Sequence, residues 1–123
     1  MTRIFTLDEA RDLLPRIQTL TRPVFELASS LAEELQAVEQ REDETRAEEL
    51  RERIHVLVDS WAAAVRDLGP DVKGLWLVDF DSGDGYWCWA YPEEELAHWH
   101  SYEGGFGSRV PIEERPSVRL SAP

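Results

Sequence analysis

The sequence predicts an α+β fold: a long antiparallel helical hairpin packed on a small antiparallel β-meander. Three observations carry that reading. Apolar residues recur at steps of three and four through most of residues 7–68, the signature of helices with one buried stripe. No apolar residue falls between Glu39 and Arg46, which divides the stripe into two arms. After Gly69-Pro70 the pattern changes to short aromatic segments separated by turn-forming residues.

The first arm opens at Thr6-Leu7-Asp8-Glu9, where Thr6 can accept from the Glu9 backbone while Glu9 reaches back to cap Thr6. Ala10, Leu13, Leu14, Ile17, Leu20, Val24, Leu27, Leu31, Leu35 and Val38 supply the stripe. Pro15 and Pro23 each remove a backbone donor, so one kinked helix is expected, with a break near Pro23 as the alternative. Thr45-Arg46-Ala47-Glu48 repeats the capping pattern and should start the second arm. That arm carries the seam Ala47, Leu50, Ile54, Leu57, Trp61, Ala64 and Leu68, with coiled-coil spacing. His55 falls outside the seam and is expected at the surface.

The β segment spans 73–102. Leu75–Phe80 reads as a strand, Asp81–Gly85 as a turn, Tyr86–Tyr91 as a second strand and Leu96–Tyr102 as a third. With Glu94 at the apex of the acidic turn 92–95, Cys88 would face His100, Trp89 would face Trp99 and Ala90 would face His98. Side chains alternate between sheet faces. Cys88, His98 and His100 then share one face, while Trp87, Trp89, Tyr91 and Trp99 pack against the helices. A glycine-rich loop, 103–109, closes a single domain over 1–112, and residues 113–123 read as an extended or disordered tail.

Charge and composition exclude some functions. The net charge of -12 is spread over both halves, and no basic face exists to neutralise phosphates. Nucleic acid and anionic membranes are therefore not expected partners. No apolar run approaches a membrane span and no secretory pattern opens the chain, so the expected location is cytoplasmic. Cys88 is the only cysteine, which rules out an intrachain disulfide and a thiolate cluster.

Several separated motifs resemble one family. Phe5-Thr6-Leu7-Asp8-Glu9-Ala10 with Leu13-Leu14-Pro15 is similar to its opening, and Val72-Lys73-Gly74-Leu75 with Val78-Asp79-Phe80 to its middle. Cys88-Trp89, Trp99-His100, Gly105-Phe106 and Arg109-Val110-Pro111-Ile112 are similar to its end. The family is an uncharacterised bacterial one, catalogued as domain of unknown function 2203. The resemblance covers roughly residues 5 to 112, with a shorter segment between Asp79 and Cys88, and implies no activity, cofactor or substrate.

One polar cluster invites chemistry. His98 and His100 point the same way on a strand, a spacing that suits two ligands of one metal; Cys88 would add a third and Glu103 a fourth. Zinc or iron would suit such a set, although no cofactor is demanded. A plainer role competes: His100 as a hydrogen-bonded structural residue, His98 in solvent. A thiol enzyme would need Cys88 activated by His100 and oriented by Asp79, but no nucleophile motif accompanies them and a lone cysteine in an aromatic strand is usually just buried. The 104–109 loop with Arg109 could hold an anion on its amides, against the simpler reading that the glycines serve turn geometry and Arg109 pairs with Asp79 or Glu103. Asp79 stands among apolar residues and needs a partner on any reading. The tryptophans could line a ligand pocket, but their alternation fits a core better.

Two functions are therefore expected in competition. The first is a non-enzymatic, self-associating interaction module, a homodimer through the helices that binds another protein, motivated by the seam and the absence of a catalytic signature. The second is a small-molecule or metal-binding protein, or an enzyme, with a site drawn from Asp79, Cys88, His98, His100, Glu103 and Arg109.

Overall fold

A computed structural model describes residues 3–116. Helix α1 runs from Leu7 to Gln40 and helix α2 from Glu44 to Asp67. The Thr6 capping box forms as expected: Thr6 Oγ1 accepts from Glu9 N at 3.1 Å, and Glu9 Oε1 accepts from Thr6 N at 2.9 Å. Both prolines lie inside α1, and the helix is continuous through them rather than broken near Pro23. Packing of α1 on both α2 and the sheet offsets the missing donors.

The second cap differs from expectation. Asp43, not Thr45, caps α2 and accepts from Arg46 N at 3.1 Å. The reversal is tight because Glu42 adopts φ 58°, so the helix begins before Thr45 is reached. The seam also rotates along α2: Ala47, Leu50 and Trp61 are buried as expected, but near the sheet Ala62 and Val65 are buried while Ala64 and Leu68 are only partly so. That end of the helix turns its apolar side toward the sheet as well as toward α1.

The core divides accordingly. At the far end of the hairpin Leu31, Val38, Ala47 and Leu50 pack helix on helix. At the near end Ala10, Leu14, Ile17, Trp61 and Val65 meet Val78, Phe80, Trp87, Trp89 and Trp99 from the sheet. Thr21 sits fully buried in α1 without a signal in the apolar pattern. Its hydroxyl accepts from Trp61 Nε1 at 2.8 Å and donates to the Ile17 carbonyl at 2.7 Å. Thr21→Val keeps the shape but strands a buried indole N–H, so urea denaturation should show a loss of about 1–3 kcal/mol. An unchanged midpoint would mean that Trp61 finds another partner.

Five antiparallel strands form one sheet in the order β1-β2-β3-β4-β5: Asp71–Gly74, Leu77–Asp81, Tyr86–Ala90, His98–His100 and Val110–Pro111. Two of these, β1 and β5, were not expected. Leu75 and Trp76, expected within a strand, instead form the β1–β2 turn. Trp76 takes φ 65° there and places its ring 5.0 Å from Trp61 and 5.4 Å from Phe25, centroid to centroid. That packing overrides strand propensity. Within the Gly-rich segment Phe106–Ser108 makes one 3₁₀ turn, and Ile112–Glu114 makes another beyond β5. The remainder of the expected tail, 117–123, lies outside the described residues.

The β3–β4 register is shifted by two residues from expectation. Cys88 faces His98, Trp87 faces Trp99 and Tyr86 faces His100. The connection turns about Glu93 rather than Glu94. Glu93 Oε1 accepts from Ala90 N, and its carbonyl accepts from Trp89 Nε1 at 2.8 Å. Buried Leu96 leaves the strand, its carbonyl held by the Arg11 guanidinium from α1. A shift of two preserves the side of the sheet on which each residue points. The tryptophans therefore still face the helices, and Asp79, Cys88, His98 and His100 face away from them.

Candidate functional site

The outward face of a small sheet is ordinarily wet, yet Asp79, Cys88 and His100 on it are 2%, 1% and 3% exposed. The 101–109 segment folds back over them. Gly104 belongs to that turn for a packing reason: a Cβ there would lie 2.0 Å from Ser108 Oγ. Gly104 N donates to Ser101, and Ser108 Oγ donates to the Gly105 carbonyl. The glycines thus serve the turn, and the Gly104 amide is already engaged.

Under this cover His100 Nε2 lies 2.9 Å from Asp79 Oδ2, and His100 Nδ1 lies 2.7 Å from the Ser101 carbonyl oxygen. A carbonyl only accepts, so Nδ1 carries a hydrogen. The Nε2–Asp79 contact then contains a further proton, held between imidazole and carboxylate. Asp79 has found the partner that its burial demands.

Cys88 lies beside this pair; its sulfur, a carboxylate oxygen of Asp79 and a ring nitrogen of His100 all fall within 4.8 Å of one another. Burial first, and then the Asp79 carboxylate, push the Cys88 thiol up to about 12, with Arg109 acting in the opposite sense. A nucleophilic thiolate is disfavoured on two counts. The thiol is held protonated, and both ring nitrogens of the would-be base are already occupied.

The other expected site residues are not part of this trio, although Arg109 reaches the Cys88 sulfur from its edge. Arg109 makes a two-pronged pair with Glu93, Nη1 at 3.1 Å from Oε1 and Nη2 on Oε2, and so pairs with neither Asp79 nor Glu103. The shorter β3–β4 turn brings Glu93 within its reach. His98 is opposite Cys88 in the sheet but turns toward Glu93, its Nδ1 buried, without a hydrogen-bond partner and 3.9 Å from Oε2. Glu103 is exposed on the covering turn, outside the cluster.

Glu93 itself escaped the sequence reading because it looked like one of three equivalent turn acids. Burial opposes its ionisation, but Arg109 and the Ala90 N–H outweigh that and hold its carboxyl below the ordinary range. The pair therefore stabilises the fold above the ordinary carboxylate value, and that contribution fades as pH falls toward the lower folded value. The stability gap between wild type and Glu93→Gln should be widest near neutrality and should close on acidification below about pH 4.5. Urea midpoints across pH 3–7 test this; a constant gap would contradict it.

A cavity of about 270 Å³ opens onto the trio, with Lys73, Leu77, Tyr102, Gly105 and Phe106 around it. A larger hollow of about 940 Å³ along α2 is lined by exposed side chains of that helix from Glu44 to Arg53 and holds no comparable buried polar group.

Fold and site together define an α+β domain: a helical hairpin on a five-stranded antiparallel sheet, with a buried carboxylate–thiol–imidazole cluster beneath a glycine-rich turn. The chain belongs to the family described as "Uncharacterized conserved protein (DUF2203)", whose model matches residues 3–112. No curated protein and no solved structure matches it significantly. Among the described residues, no helix is long and apolar enough to cross a membrane.

Proposed function

We propose that this protein binds a divalent transition metal, zinc or iron, through Asp79 carboxylate, Cys88 sulfur and His100 Nε2. The observation that carries the reading is the orientation of His100. Its Nδ1–H is donated to a backbone carbonyl, the arrangement by which metal-binding histidines are held with Nε2 toward the ion. That Nε2 points at a carboxylate with a thiol beside it, and all three are buried. One oxygen, one nitrogen and one sulfur donor suit a borderline ion such as zinc. Donors around one such ion stand roughly 3–4 Å apart, given bond lengths of about 2.0–2.3 Å; all three lie within 4.8 Å of one another, and Asp79 and His100, now 2.9 Å apart, would part slightly to admit it.

The ion would replace the proton between Asp79 and His100 and the proton of the thiol, so uptake should weaken as pH falls. Native mass spectrometry of protein purified without chelator or affinity tag tests the reading. One metal per chain, lost in Cys88→Ala and in His100→Ala, is expected. Wild-type chains that stay bare after incubation with zinc would sink it.

A second reading, self-association through the helical hairpin, is favoured by one observation. Leu27 and Val56 are 47% and 52% exposed and lie beside Leu31 and Leu57 in a groove of about 370 Å³ between the two helices. Trp61 is 3% exposed within the monomer core, so it does not belong to such an interface. A second copy could cover the groove, giving a four-helix arrangement. Sedimentation of Leu27→Glu/Val56→Glu, with circular dichroism as the folding control, separates the outcomes: folded monomers from a dimeric wild type support it, and a monomeric wild type or a persistent dimer contradicts it.

A further inference from the structure

A guanidinium is a flat group with N–H donors around its edge, so one arginine can serve several acceptors lying in its plane. Arg109 is held in that way. Its Nη1 lies 3.1 Å from Glu93 Oε1 while Nη2 engages Oε2, and its Cζ lies 4.3 Å from the centroid of the Phe106 ring. Glu93 therefore fixes its direction and Phe106 covers one face.

The strand register carries this group to the trio. Cys88 faces His98, His98 turns toward Glu93, and Glu93 carries Arg109. Phe106, stacked on the guanidinium, also lines the cavity above Asp79, Cys88 and His100. At the edge of the cluster the guanidinium reaches the Cys88 sulfur. Among the described residues, Glu93 supplies the only oxygens to which Arg109 is bonded, so it keeps N–H groups for that sulfur.

We infer that Arg109 is a positioning residue of the metal site, donating an N–H to the Cys88 sulfur when that sulfur binds the ion, with Glu93 and Phe106 aiming it. The inference rests on the metal reading above. Groups that hold a ligand from outside the coordination shell tune both affinity and the metal's electronic character.

Cobalt(II) bound to the full chain is the probe, because sulfur-to-cobalt charge transfer gives a near-ultraviolet band. A donor to the sulfur stabilises its lone pairs and raises the energy of that band. Arg109→Lys keeps the charge that pairs with Glu93, but one ammonium lacks the planar fork needed to serve both acceptors. The variant should stay folded by circular dichroism, shift the band to longer wavelength and bind cobalt about ten- to a hundredfold more weakly. Arg109→Met should shift it in the same direction. Glu93→Gln removes the ion pair but leaves Arg109 and an oxygen to hold it, so the band should stay where it is in the wild type.

If cobalt does not bind the wild type, the metal reading falls and this inference with it. If cobalt binds and the band keeps its wild-type position in both Arg109 variants, this inference alone is overturned. An equal shift in Glu93→Gln would also overturn it, since the effect would then belong to the ion pair and not to the contact with sulfur.

Discussion

His100→Ala should lower stability by about 3–5 kcal/mol in the presence of a chelator, the cost of leaving a buried carboxylate without its partner. The variant removes an imidazole that is 3% exposed and contacts both Asp79 and Ser101. Asp79, 2% exposed, would then have to stay charged in an apolar setting, bind a proton alone, or drag water under the 101–109 turn. The double variant Asp79→Ala/His100→Ala should recover part of the loss, because it removes the orphaned charge along with its partner. A coupling of about 1–3 kcal/mol is expected from urea denaturation of the four proteins. Additive effects would mean that the two side chains do not depend on each other, and the buried pair would lose its meaning.

Gly85→Ala should cost about 3 kcal/mol by overpacking. A Cβ there would stand 2.3 Å from Trp99 Cζ2 and 2.5 Å from the His100 carbonyl oxygen. Neither neighbour can move cheaply. Trp99 is 6% exposed in the core with its Nε1 donating to Ser82 Oγ, and the His100 carbonyl belongs to the strand that positions the site. The same variant should therefore weaken metal uptake, since any relief displaces His100. Gly107→Ala is the matched control: a Cβ at that position meets nothing within 4 Å, and a change of no more than about 0.5 kcal/mol is expected. Equal denaturation midpoints for the two variants would contradict the packing argument.

The helices were legible because their signals are local. Thr6 and Glu9 are three residues apart, and the apolar stripe is read within a few turns. Thr21 was not legible, since a threonine in a helix gives no sign that an indole forty positions away will donate to it. The inward face of the sheet was legible from alternation, and it survived a two-residue error in register because the period of a strand is two. The turn was hidden because Leu75 and Trp76 look like strand, whereas Trp76 owes its conformation to packing on Phe25 and Trp61; β1, Asp71–Gly74, has a single apolar side chain to mark it.

At the site, residue type drew attention to Asp79, Cys88 and His100, but their burial depends on a turn that folds back from residues 101–109. The pairing of Arg109 with Glu93 depends on the length of the β3–β4 connection, which composition does not encode.

The central claim is that Asp79, Cys88 and His100 hold one metal ion. X-ray absorption at the zinc edge, on protein loaded with one equivalent of zinc, tests it most directly. The account predicts one sulfur at about 2.3 Å together with nitrogen and oxygen donors at about 2.0–2.1 Å, the sulfur shell vanishing in Cys88→Ser. A first shell of nitrogen and oxygen alone in the wild-type protein would place the zinc elsewhere and contradict it.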